Sequence, residues 1–326
     1  MDFHLNFDPK PFAVKIEHHQ KLLLIGSCFT ENIGNKLQQL KFSVQANPNG
    51  ILFNPVSIAT SLLSYIENKQ YTENDLFYQN ESWNSWQHHS RFSNPDKNEC
   101  LAVINESQQQ AHHFLKIANW VMITLGSGFV YELENNEIVA NCHKVPTDKF
   151  NKKLLNAIEI KEMLDAALEK LFIFNPNIKI IFTISPVRHL RDGFVENNRS
   201  KAALIQAVHQ LISEHEKTFY FPAYELVIDD LRDYRFYAED MVHPNYAATN
   251  YVWEKFITTC IDERAQQLMK EINIINAAKS HKPFNPASAQ HKKFLQTNLD
   301  KVKKIQEEHA YIDLTEEIDF FINKEG

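Results

Sequence analysis

The sequence predicts an α/β protein: a three-layer α/β/α sandwich around a mainly parallel sheet, with a helical extension at its C-terminus. Two observations predict the sandwich. Short apolar runs that stop at Gly or at Ser-Pro recur along the chain, and segments of helical periodicity lie between them. A third observation, a change of character beyond about Asn276, predicts the extension.

The first run is Lys21–Ile25 (KLLLI), which stops at Gly26. A run this short suits a buried strand. Thr30–Leu40 follows with Ile33, Leu37 and Leu40 on one helical face. The second run, Trp120–Leu125 (WVMITL), ends at Gly126, and the third, Ile178–Ile184 (IKIIFTI), ends at Ser185-Pro186. Leu154–Phe174 and Arg199–Glu214 carry helical periodicity, Phe219–Pro222 reads as a short strand, and another helix begins near Tyr246. In such sheets ligands gather at the carboxyl ends of the strands, which places Gly26-Ser27, Gly126-Ser127 and Ser185-Pro186 there. Residues 42–98, rich in Asn, Ser and aromatics with a helical stretch near Val56–Asn68, read as a long insertion able to wall a pocket. The domain reading is a catalytic unit over 1–275, then a Pro-containing linker (SHKPFNPAS, Ser280–Ser288) and polar helical sequence over 276–326. That tail would pack on the domain or serve in oligomer assembly.

Composition excludes several classes. With 34 basic and 41 acidic residues the formal charge is −7, which disfavours a nucleic-acid partner. No basic amphipathic stretch and no run of about 18 apolar residues suggests a membrane surface or span. The opening decapeptide, MDFHLNFDPK, lacks a signal-peptide core. The four cysteines, at 28, 100, 142 and 260, form no CxxC pair. A cytoplasmic protein is expected, with no cofactor and no metal.

Two short motifs carry chemistry. In Gly26-Ser27-Cys28-Phe29, Ser27 sits where a strand ends and a helix begins. Helix N-terminal N–H groups carry partial positive charge, so a nucleophile there has oxyanion donors close by. An N-cap serine looks the same. In Asp240-Met241-Val242-His243-Pro244-Asn245, an Asp three residues before a His can fold back to the imidazole Nδ1 and leave Nε2 free to accept a proton from a serine. A surface turn with an incidental His is the plain alternative. His88, His89 and His143 lack a zinc-site spacing. Arg188 and His189 follow a strand end, where they suit an anionic substrate group or a surface ion pair. Cys28 is a second, weaker candidate nucleophile.

Together the two motifs resemble the SGNH/GDSL-like hydrolase superfamily; the G-x-S-x-G elbow of ordinary α/β-hydrolases is absent. The chain is closer still to the GSCFA family, through Ile25–Thr30, Asn49-Gly50 with Phe53-Asn54-Pro55, Thr124–Ser127, Asn141–Lys144, Ser185–Val187 and Asp240–Asn245. The resemblance implies Ser27 as nucleophile, His243 as base and Asp240 as its orienter. It implies oxyanion donors in the N–H groups of Ser27 and Gly50. Superfamily members usually carry an Asn two residues after the strand-end Gly; here Gly128 stands there, and Asn141, Ser127 or Asn54 could replace it. Asn54, Ser127, Asn141 and His143 complete the expected substrate-binding set. The implied activity is hydrolysis of an ester, a small molecule or an acetylated carbohydrate. An O-acyltransferase on the same triad, or a non-catalytic carbohydrate-binding module, stands beside it.

Overall fold

The computed structural model describes residues 5–324. Its centre is a five-stranded, wholly parallel sheet in the order β10-β9-β5-β1-β2. The strands are β1 (Lys21–Gly26), β2 (Ser43–Ala46), β5 (Trp120–Leu125), β9 (Lys179–Ile184) and β10 (Thr218–Tyr220). The chain leaves β1 toward β2 on one side and later enters β5 on the other. The order therefore reverses between β1 and β5, and the carboxyl ends of those two strands flank the crevice where such sheets bind ligands.

Side-chain alternation sorts the strand residues onto two cores. Leu22, Leu24, Trp120, Met122 and Ile181 face one layer, built from α1 (Cys28–Gln39), α7 (Tyr246–Cys260) and α8 (Glu263–Ser280). Leu23, Ile25, Val121, Ile123, Leu125, Ile180 and Phe182 face the other, built from α2 (Pro55–Glu67), α3 (Lys97–Ile117), α4 (Ala157–Phe174) and α5 (Gly193–Glu214). The expected sandwich is therefore present. The short α6 (Ala223–Glu225) runs on as a π-helical turn, Leu226–Leu231.

Two differences from the sequence reading bear on the site. Residues 42–98 are not one insertion: they open with β2, which pairs with β1 from Lys21↔Ser43 to Leu24↔Ala46, and α2 covers the sheet. Only the later part, with the hairpin β3 (Phe77–Gln79) and β4 (Ser82–Asn84), forms a separate small cluster around Tyr71, Phe92, Cys100 and Ile104. The second difference is an unanticipated antiparallel sheet, β7-β6-β8, formed by β6 (Phe129–Glu132), β7 (Ile138–Val139) and β8 (Asn151–Leu154) between β5 and α4.

At the C-terminus, α8 runs through position 276 to Ser280, so the irregular linker spans 281–288. The helices α9 (Ala289–Glu308) and α10 (Thr315–Asn323) follow and join the same core as α1. Buried Glu317 fastens them there through Lys41 (2.8 Å) and Lys279 (2.9 Å). Residues 1–4 of the N-terminal decapeptide and residues 325–326 of the tail lie outside the described residues. No described helix is long and apolar enough to cross a membrane.

Candidate active site

The carboxyl end of β1 is built to expose nothing but backbone. Gly26 has φ +141°, and a Cβ there would lie 2.2 Å from the Thr124 carbonyl oxygen of the paired strand β5. Only glycine fits. Its N–H donates to Asn47 Oδ1 at 2.8 Å. Ser27 follows as the N-cap of α1 in extended conformation, yet its side chain makes no capping bond. Its hydroxyl is fully buried with no hydrogen-bond partner. An unpaired buried hydroxyl costs about 1–3 kcal/mol, and those of Thr30, Thr124 and Thr183 are buried without a partner as well.

The second motif folds as its spacing predicts. Tyr237 and Pro244 close an antiparallel bridge, Ala238 N–H donates to His243 O at 2.7 Å, and Met241 makes the sharp turn at φ 57°. Asp240 Oδ1 accepts the main-chain N–H groups of Val242 (2.9 Å) and His243 (3.0 Å), and Oδ2 lies 2.6 Å from His243 Nδ1. The His243 N–H, its ring and the Val242 N–H hold the Asp240 carboxyl down to about 2. His243 is half exposed, and its Nε2 has no protein partner among the described residues. Arg188 N–H donates to Val242 O at 3.1 Å, which docks the loop on the exit of β9. Ser27 and the Asp240–His243 pair thus stand at the same edge of the sheet, although no hydrogen bond joins Ser27 to His243.

The expected oxyanion donors differ from expectation. Ser27 N–H already donates to Thr124 O at 3.3 Å, continuing the β1–β5 ladder. Gly50 N–H donates to Asn47 O at 2.8 Å, closing a tight turn. Gly50 is demanded by its φ of +82° and by His89, whose Cβ would lie 2.1 Å from an added Cβ. Asn54 caps α2, accepting from Ser57 N–H at 2.8 Å and donating to Ser57 Oγ at 2.9 Å. Gly128 N–H donates to Ser200 Oγ at 2.8 Å, and Ser127 Oγ accepts from Phe129 N–H at 3.1 Å. Asn141 is the exception. Its Oδ1 accepts His143 N–H at 2.8 Å, its Nδ2 has no partner among the described residues, and the residue lines a cavity. His143 is turned away from that cavity: its ring packs on Trp86 and Phe77, and Nε2 donates to Ser85 O at 2.9 Å. His88 is likewise buried against Ser85 Oγ (2.9 Å) and driven down to about 3 by burial.

The cavity measures about 620 Å³. Asn54, Ser127, Asn141 and Val242 line it, with Phe129 and Tyr131 on β6 and with Arg188 and His189 after β9. Burial pushes His189 down to about 4, so it stands neutral. Behind the strand ends lies Lys201, on α5. It is fully buried and donates to Gly126 O and Ser185 O, both at 2.6 Å. It ties the carboxyl ends of β5 and β9 together, and burial lowers it to about 7. Burial raises the neighbouring Cys28 thiol, which keeps it protonated and argues against Cys28 as nucleophile.

The GSCFA family model matches residues 21–256, from β1 to within α7. The chain belongs to the GSCFA family. A second model, the C-terminal domain of GSCFA domain proteins, matches residues 272–324. No curated protein matches the chain. Among solved structures it is similar to a carbohydrate esterase family 3 from Talaromyces cellulolyticus, at TM-score 0.37 and 12% identity over 78% of this chain and 99% of that one. It is also similar to a mutant acetyl esterase with acetate ion, at TM-score 0.38 and 14% identity over 78% of this chain and 99% of that one. Likenesses this distant carry no weight for substrate or chemistry.

Proposed function

We propose that this GSCFA protein is a serine hydrolase of ester bonds. The observation that carries the reading is the coexistence of an oriented imidazole and a free buried hydroxyl at one sheet edge. Asp240 fixes Nδ1 of His243 at 2.6 Å, Nε2 is left unengaged, and Ser27 Oγ has no partner. Chemistry requires the His243 ring to swing onto Ser27 as substrate enters. Ser27 Oγ then attacks the acyl carbonyl while His243 Nε2 takes its proton. The tetrahedral intermediate collapses as His243 returns that proton to the leaving alcohol. Water, activated by the same nitrogen, releases the acid and restores Ser27. Asn141 Nδ2 and the first-turn N–H groups of α1 are the donors for the oxyanion. A hydroxyl acceptor in place of water would make the same site an acyltransferase.

One observation favours a second reading, a ligand-binding module without turnover: the N–H groups of Ser27 and Gly50 are engaged internally. A fluorophosphonate probe separates the two. Peptide mapping of the wild type, Ser27→Ala, Cys28→Ala and His243→Ala is expected to place one adduct on Ser27 that needs His243 and survives loss of Cys28. A folded protein that takes no adduct would leave the binding module as the better account.

A further inference from the structure

The cavity beside the candidate triad has a charge opposite to that of the protein around it. The chain as a whole carries −7. Yet the cavity is lined by Lys152, Arg188 and Arg191 against a single carboxylate, Asp192. Lys152 and Asp192 form an ion pair and offset each other. Neither arginine has a carboxylate within ion-pair distance among the described residues. The Arg188 guanidinium lies over the faces of Tyr237 (4.3 Å) and Tyr234 (5.0 Å), held by aromatic rings rather than by an acid. Arg191 is exposed at the rim. Neutral His189 adds no charge. Two arginines without an acidic partner among the described residues therefore line one cavity whose wall also includes Val242, the residue before the base.

Unpaired cations in a cleft focus the field and draw anions in. Guanidinium groups suit carboxylate, sulfate and phosphate oxygens through paired N–H donors. The same cavity is lined by Phe129 and Tyr131, with Lys152 Nζ over both rings (4.5 and 5.3 Å). Flat rings beside cations suit a ligand whose anionic group is carried on a ring.

We infer that this cavity is an anion subsite, and that the substrate is an ester borne on a ring that also carries an anionic group, as in an acylated acidic sugar. The inference rests on the proposed hydrolase reading for the word substrate, and on the cavity alone for the binding. Arg188 and Arg191 hold the anion; Phe129 and Tyr131 face the ring.

Binding and turnover are therefore measured separately. By calorimetry on the full chain, methyl glucuronoside is expected to bind at least about tenfold more tightly than methyl glucoside at low salt, a difference of ~1.4 kcal/mol. That advantage should shrink as salt rises from about 0.02 M to about 0.3 M, and it should be lost in Arg191→Gln and Arg188→Gln proteins whose thermal unfolding matches wild type. Glucose 6-sulfate and glucose 6-phosphate, run beside the glucuronoside, decide which anion is preferred. Equal affinity for the charged and neutral sugars, no binding of either, or a preference that survives both arginine substitutions would overturn the subsite. Fluorophosphonate labelling of Ser27 in the same preparations reads the hydrolase proposal. Loss of labelling with the sugar preference intact sinks the hydrolase and leaves the subsite standing.

Discussion

Asp240 Oδ2 lies 2.6 Å from His243 Nδ1, while Oδ1 of the same carboxylate takes the main-chain N–H groups of Val242 and His243. One side chain thus folds the loop and sets the ring. Replacing it by Asn keeps the shape and exchanges an acceptor for a donor at one of the two positions. If the amide oxygen stays on the main-chain N–H groups, its NH₂ faces Nδ1 and favours the tautomer whose Nε2 cannot accept a proton. The rate of fluorophosphonate labelling at Ser27 is expected to fall by about 10³-fold or more in Asp240→Asn, the range seen when a triad carboxylate becomes an amide. Far-UV circular dichroism should be unchanged. Because Asp240 titrates at about 2, any loss of wild-type labelling above about pH 4 must come from another group. A variant that labels at the wild-type rate would remove Asp240 from the chemistry.

Asn141 separates its two functions between two atoms. Oδ1 accepts His143 N–H at 2.8 Å and fixes the turn; Nδ2 has no partner among the described residues, and Asn141 lines the cavity. Asn141→Asp retains the acceptor and deletes the donor. The protein should unfold at a temperature within a few degrees of wild type, while turnover of 4-nitrophenyl acetate falls about 10²-fold or more, the usual effect of removing one oxyanion donor. Retained turnover would assign the third donor elsewhere and confine Asn141 to the turn.

Gly50 was legible in the sequence only through the family resemblance, and its geometry adds a reason of its own for glycine. The resemblance marks it as an oxyanion donor; the structure shows φ +82°, an N–H spent on Asn47 O, and His89 against its Cα. Gly50→Ala must strain the backbone and displace His89. We expect a loss of at least ~2 kcal/mol in urea unfolding, with no selective effect on labelling in the fraction that remains folded. A stable but unreactive Gly50→Ala would restore the catalytic explanation.

The contrast shows where sequence reading works and where it stops. The strands β1, β5 and β9 were legible because each is a buried apolar run closed by Gly26, Gly126 or Ser185-Pro186, and burial on both faces leaves no other composition. Asp240 and His243 were legible because their contact is local, three residues apart. Ser43–Ala46 was not: as an edge strand of half-exposed residues, SVQA, it lacks the apolar signal and is defined only by pairing with β1. The sheet of β6, β7 and β8 was hidden for the same reason, its strands being two to four residues long and partly charged. Lys201 was hidden because a lysine within an amphipathic helix reads as solvent-facing. Its partners, Gly126 O and Ser185 O, lie just past the ends of β5 and β9, 75 and 16 residues away.

Lys201 gives the protein a pH signature. Its ordinary value is 10.5, and burial lowers it to about 7 in the folded chain. That gap corresponds to roughly 5 kcal/mol by which the buried ammonium disfavours folding at neutral pH and below. Between about pH 7 and 10.5 the unfolded chain binds more protons than the folded one, so stability rises with pH. The slope is at most ~1.4 kcal/mol per pH unit. The useful window closes near pH 9, where the thiols of Cys28 and Cys260, raised from 9.0 by burial, begin to impose the opposite slope. His18, His88, His89, His143 and His189, all lowered from 6.5, impose a slope of the same sign as Lys201, which fades by about pH 7.5. Urea unfolding from pH 7.5 to pH 8.5 should therefore show wild-type stability rising by about 1 kcal/mol, and Lys201→Met should show a nearly flat profile over the same range. At pH 7 the variant gains by losing a buried charge and loses by leaving Gly126 O and Ser185 O without a donor, so its absolute stability decides nothing; the slope does. Equal slopes in the two proteins would mean that the ammonium is compensated in solution, and that Lys201 acts as an ordinary hydrogen-bonded clamp.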